Sequence, residues 1–145
     1  MNVPPPVVDR DAEHLRLIAI FHYVFAGLAL LGLGFVLMHY MLMRTAMSPE
    51  VLAQSPNPPP AGFMAMIVGV YVLIGSMMLA GALLNLLAGN FLRKRRARLF
   101  CMVVAGLDCL QVPLGTVLGV FTLVVLNRDS VRIAFDGPAG PSSPR

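Results

Sequence analysis

Tryptophan is absent from this chain, and charge is scarce: only 12% of its 145 residues are Asp, Glu, Lys or Arg. A soluble domain usually carries about a quarter charged residues, so there is too little charge here to coat a water-facing surface. Acids are rarer still inside the apolar stretches, where Asp108 stands alone. The two cysteines, Cys101 and Cys109, lie eight positions apart. On one helix that is roughly 12 Å, beyond the ~7 Å that a disulfide tolerates. They are expected to be small buried apolar side chains. They also lack the histidines at matching spacing that a zinc site needs, so no metal and no cofactor is expected. No Ser/His/Asp constellation, helix-borne His/Glu pair or phosphate-binding glycine loop occurs, and the chain is expected not to be an enzyme. Nucleic acid is not an expected partner, because the one basic run lies between apolar segments and no aromatic platform accompanies it.

What is present is hydrophobic. The chain is 57% apolar, with ten methionines, and its apolar residues fall into three long blocks. Leu17 to Met43, Phe63 to Leu92 and Leu99 to Leu126 each hold 27–30 residues. As helices these would be roughly 40–45 Å long, enough to cross a hydrocarbon core of about 30 Å. The expected fold is therefore an all-α membrane protein of three long hydrophobic helices, at about 11–45, 62–92 and 97–128. These form one transmembrane helical domain over residues 11–128. Residues 1–10 form an extended proline-rich N-terminal tail without the basic start of a secretory signal. Residues 129–145 read as a frayed helix end to about Phe135 and then disorder. Between the first two segments, Arg44 to Ala61 reads as a proline-rich loop.

Five basic residues, Arg93, Lys94, Arg95, Arg96 and Arg98, form the turn between the second and third segments. Basic loops stay in the cytoplasm. The turn and the N-terminus are therefore expected on the cytoplasmic side, with the basic residues at anionic lipid headgroups. The side of the C-terminus depends on Pro113. A proline inside a helix removes a backbone donor and kinks it. The matched lengths of the three segments favour a third helix that crosses with a kink at Pro113. The alternative is a re-entrant hairpin turning at Pro113, which would return the tail to the cytoplasm on arms of roughly 20 Å.

Asp108 is the sharpest candidate for chemistry, since an ionisable group in a bilayer is costly and normally faces protein or water. It lies roughly 13 Å along a helix from the basic turn. His22 and Asn85 fall at similar depths on the other two segments, so a His22–Asn85–Asp108 cluster would satisfy the acid. Small residues mark the packing faces. Gly81, Asn85 and Gly89 step by four on the second helix. On a continuous third helix, Ala105, Asp108, Val112, Gly115, Gly119 and Thr122 form one stripe containing a Gly-x-x-x-Gly pair. His39 and Tyr40 are expected near the outer interface and His14 near the inner one.

Two stretches also carry a resemblance. One is Asp11-Ala-Glu-His-Leu-Arg-Leu-Ile-Ala-Ile-Phe-His-Tyr-Val24. The other runs from the basic turn through Phe100-Cys101, Val104-Ala105-Gly106, Cys109 and Pro113-x-Gly115-Thr116-Val117-Leu118-Gly119-Val120-Phe121-Thr122 to Asn127-Arg128-x-Ser130-Val131. Together they resemble a family of small bacterial integral membrane proteins with no activity assigned to it. The resemblance implies a bacterial inner-membrane location and carries no cofactor or site. That family often has a proline midway in the first segment, where Phe35-Val36-Leu37 stands here, so a straighter first helix is expected.

Three functions remain open from the sequence. The leading one is a non-enzymatic accessory or scaffold protein that packs through its glycine faces with itself or with another membrane protein. The second is a small proton- or ion-linked transport component using Asp108 and His22. The third is an anionic-lipid sensor read through Arg93 to Arg98.

Overall fold

The computed structural model describes residues 10–60 and 62–136. Of the tail expected at 1–10, residues 1–9 lie outside the described residues, as does the end of the chain from 137, and Arg10 already belongs to the first helix. Every regular element among the described residues is a helix: α1 (Arg10–Ala46), α2 (Pro49–Ala53), α3 (Phe63–Lys94), α4 (Arg98–Asp108), α5 (Leu114–Leu126) and α6 (Asp129–Asp136). Two helices are long and apolar enough to cross a membrane, or up to three if the bent pair α5–α6 counts as one span. Only 11% of the apolar window of the first span and 6% of the second are buried against protein. Their large apolar side chains, Leu31 and Met77 among them, therefore face outward, as helices in lipid do.

α1 begins with Asp11 and Glu13 in its first turn and ends with Arg44 in its last, the charge order that the helix dipole favours. It passes Phe35-Val36-Leu37 without a break. The segment from Arg44 onward is less irregular than the proline count implies: α1 runs to Ala46, and α2 starts on Pro49 at its first position. α3 begins after Gly62, whose φ of 91° a side chain would resist.

α3 ends in a Schellman motif. Arg95 N–H bonds to Leu92 O at 3.2 Å, and Arg96 N–H to Phe91 O at 3.0 Å. Arg95 takes the left-handed position at φ 50°, where glycine is usual, and Ala97 is left-handed too at φ 52°. Each non-glycine residue in that region costs about 1–2 kcal/mol.

The third apolar segment departs from the expected kinked helix over 97–128. It is two helices, α4 and α5, folded back on each other as a hairpin. Arg98 at the start of α4 donates from Nε to Leu126 O at the end of α5, at 3.0 Å. At 11 and 13 residues the arms are about 16 and 20 Å long, too short to cross singly. The turn opens where i−4 bonds give way to i−3 bonds, Leu110 N–H to Leu107 O at 3.1 Å and Gln111 N–H to Asp108 O at 2.9 Å, and Pro113 keeps the helix from resuming in line. Its missing N–H leaves Cys109 O without its helical donor, and Thr116 Oγ1 donates to that oxygen instead at 2.9 Å. With the i−4 bond gone and the carbonyl satisfied across the turn, the chain reverses rather than bends.

The helical stretch expected to about Phe135 is present as a separate helix: α6 occupies Asp129–Asp136 and turns 79° away from α5. The contacts of the described residues divide into two compact units, one drawn from residues 10–25 and 84–136, the other from residues 26–60 and 62–83. The first unit has a core of Leu15, Ile18 and Ala19 from α1, Leu92 from α3, Cys101 from α4, Val125 and Leu126 from α5, and Val131 from α6. In the second unit, Met78 lies over Gly32 and Leu33 lies against Gly75. The His39 ring is hydrogen-bonded to the Tyr71 hydroxyl, and Tyr40 meets Tyr71 edge-on at 5.3 Å between centroids.

Candidate functional site: a buried polar network

The candidate site lies within the first unit and draws one side chain from each of α1, α3, α4 and α5. His22, Asn85, Asp108 and Thr122 are all buried, at 0, 2, 1 and 0% exposure. Each sits among small or apolar neighbours on its helix, so water cannot satisfy it and the four must satisfy one another.

His22 Nδ1 lies 2.7 Å from Asn85 Oδ1. Asn85 Nδ2 donates to Asp108 Oδ1 at 3.0 Å. Asp108 Oδ2 faces His22 Nδ1 at 3.5 Å and has no hydrogen-bond partner. On the far side of the ring, His22 Nε2 lies 3.3 Å from Thr122 Oγ1. Thr122 Oγ1 also donates to Leu118 O one turn back, at 2.7 Å. The result is a line of polar atoms that threads four helices: Asp108, Asn85, His22, Thr122, Leu118 O.

His22, Asn85 and Asp108 therefore meet. Thr122 is the member that sequence reasoning placed on the stripe but left out of the cluster. On a continuous helix it lies 14 residues from Asp108, about 21 Å away. The hairpin brings it back beside His22. For the same reason the expected stripe from Ala105 to Thr122 is not one continuous face. It is folded on itself, so its two halves confront each other. A Cβ added at Gly119 would collide with Ala105 O and stand 2.6 Å from Cys109 Sγ. One added at Gly115 would collide with Asp108 O and stand 2.6 Å from Gln111 Cβ. The Gly-x-x-x-Gly pair thus closes α4 onto α5 within the chain.

The chain matches no family model, no curated protein and no solved structure. Its reading therefore rests on its own geometry.

Gly89 allows α3 to approach α1: a Cβ there would stand 2.9 Å from the Tyr23 ring and 3.2 Å from Ala19 O. Gly81 has no such role, since a Cβ there would meet nothing within 4 Å. Of the basic run, Arg93, Lys94, Arg95 and Arg96 are exposed. Arg98 differs from expectation. It is half-buried and spends its Nε–H on Leu126 O, a cation at the negative end of α5. Asp11 pairs with Arg128 at 3.6 Å, across the start of α1 and the α5–α6 joint. Cys101 is buried with its thiol 3.8 Å from Ala88 O, while Cys109 is half-buried beside Gly119. No three His, Cys, Asp or Glu side chains converge as a metal set among the described residues.

Proposed function

We propose that this chain is a bacterial inner-membrane protein with a non-enzymatic accessory or scaffold role, in which the buried network locks the α4–α5 hairpin to α1 and α3. The observation that carries this reading is the mutual hydrogen bonding of His22, Asn85, Asp108 and Thr122. Their polar atoms point at one another, and neither the cavity lined by Phe35, His39 and Tyr71 nor that lined by Tyr40, Met64 and Val68 includes any of the four. Such an arrangement fixes helices in register. A transport site would instead present groups to a path. α1 and α3 cross the bilayer, the hairpin enters and leaves on one side, and the exposed Arg93–Arg96 turn rests on anionic headgroups. Each such contact contributes on the order of 1 kcal/mol.

The arrangement is supported by Arg98 closing on Leu126 and Asp11 on Arg128, which put both ends of the hairpin beside the start of α1. A C-terminal reporter active only in the cytoplasm is expected to be on, with an N-terminal one also on. A silent C-terminal reporter beside an active N-terminal one would restore a crossing third segment.

The role itself is tested on native membranes and on vesicles. The chain is expected to migrate in an assembly larger than its own 15.6 kDa, and Asp108→Asn is expected to preserve that assembly. Vesicles holding the purified chain are expected to keep an imposed pH gradient as well as empty ones. A proton flux that Asp108→Asn abolishes would replace the scaffold with a transport component.

A further inference from the structure

The hydrogen atoms of the network can be counted. Thr122 donates its hydroxyl proton to Leu118 O, so its oxygen is an acceptor toward His22, and Nε2 must carry a proton. With the Asn85 amide oriented so that Nδ2 donates to Asp108, Oδ1 is the atom facing His22, and Nδ1 then carries a proton as well. A ring protonated on both nitrogens is an imidazolium. Its counter-charge is the Asp108 carboxylate, with Oδ2 unpartnered and 3.5 Å from Nδ1.

A second arrangement satisfies the same four side chains. If the Nδ1–H bond breaks and an O–H bond forms on Asp108, both groups become neutral. Nδ1 is then an acceptor and Asp108 a donor. A half-turn of the Asn85 amide presents Nδ2 to His22 and Oδ1 to Asp108, so its bonds to these two side chains are remade with their direction reversed. The Nε2–H to Thr122 to Leu118 O chain is unchanged. One proton has moved, none has entered or left, and the network has zero net charge in both forms. An amide is the side chain that allows this, because its two ends exchange donor for acceptor on rotation.

We propose that His22 and Asp108 share a single proton across Asn85, the pair interchanging between imidazolium–carboxylate and imidazole–carboxylic acid as the Asn85 amide turns over. The network is thereby a one-proton binding site. The groups that face the ring are Asn85 from α3, Asp108 from α4 and Thr122 from α5. The proposal rests on the buried network that forms the lock, but not on any partner the scaffold binds.

The test is nitrogen NMR of the full chain labelled at histidine, in phospholipid bilayers, with His14→Gln and His39→Gln so that only His22 reports. The expected Nε2 signal is that of a protonated nitrogen. The expected Nδ1 signal is intermediate between protonated and unprotonated limits and moves with temperature. Asp108→Asn is expected to send one ring nitrogen to the unprotonated limit. A wild-type Nδ1 signal fixed at either limit at all temperatures overturns the proposal, and does so whether or not Asp108→Asn folds. Shared-proton signals in a chain that vesicle assays show to conduct protons would keep this inference and overturn the scaffold role. A fixed signal in a closed, non-conducting chain would do the reverse.

Discussion

Asp108→Ala is expected to destabilise the hairpin far more than Asp108→Asn. Alanine removes the acceptor of Asn85 Nδ2 and the charge opposite His22, both at fully buried positions. Removing one partner of a buried pair costs about 3–5 kcal/mol in proteins, because the other is left without compensation. Asparagine keeps an oxygen in the same place, and its loss is closer to that of one weakened interhelical hydrogen bond. In membrane proteins such bonds average ~0.6 kcal/mol and reach ~1.7. His22 can give up its extra proton in either variant, but only asparagine leaves a hydrogen-bond partner for the end of the Asn85 amide that faces position 108. Unfolding of the purified chain in mixed micelles, followed by its helical signal, separates the two. A loss from alanine no larger than that from asparagine would mean that the network adds little to the hairpin.

The second large effect is steric and has a built-in control. At Gly119 an added methyl meets Ala105 O and the Cys109 backbone N at 2.9 Å, atoms of the facing helix that have no rotamer with which to retreat. Gly119→Ala must therefore separate α4 from α5, at a cost of about 1–3 kcal/mol for overpacking. Gly81→Ala adds the same methyl where nothing lies within 4 Å. It should be neutral or favourable, since alanine exceeds glycine by about 1 kcal/mol in a helix interior. Cys101 supplies the readout. Its thiol is fully buried in the core that the hairpin completes. In a Cys109→Ser background, its alkylation by a water-soluble maleimide should rise several-fold with Gly119→Ala and not with Gly81→Ala. Equal rates in the two variants would show that the glycine does not hold the arms together.

The sequence made α1 and α3 legible because hydropathy and length report on long helices directly. It made His22, Asn85 and Asp108 legible because polar residues deep in apolar segments must find partners, and the three lie at comparable depths from a common turn. It left the third segment undecided between a kink and a hairpin. Composition does not distinguish a 28-residue span from two arms with a turn, and matched length pointed to the wrong one. The deciding contact, Thr116 Oγ1 on the carbonyl that Pro113 orphans, is local and was readable in principle. A proline followed three residues later by threonine offers a donor for the carbonyl four residues before the proline. Thr122 and Arg98 were invisible for a different reason. Both gain their partners, His22 and Leu126, only once the chain has reversed, so their roles follow from topology and not from neighbours in sequence. Arg95 in the Schellman position had no glycine to announce it.

The closure of Arg98 on Leu126 also bears on biosynthesis. For a chain whose α1 and α3 cross, a returning hairpin means that Arg128, Asp129, Arg132 and Asp136 never pass through the hydrocarbon. With the N-terminus on the cytoplasmic side, as proposed, the segment between α1 and α3 that the insertion machinery translocates is residues 47–62, whose single charge is Glu50. The hairpin can follow as a preformed plug, entering from the side on which it is synthesised once α1 and α3 have presented His22 and Asn85 to receive it.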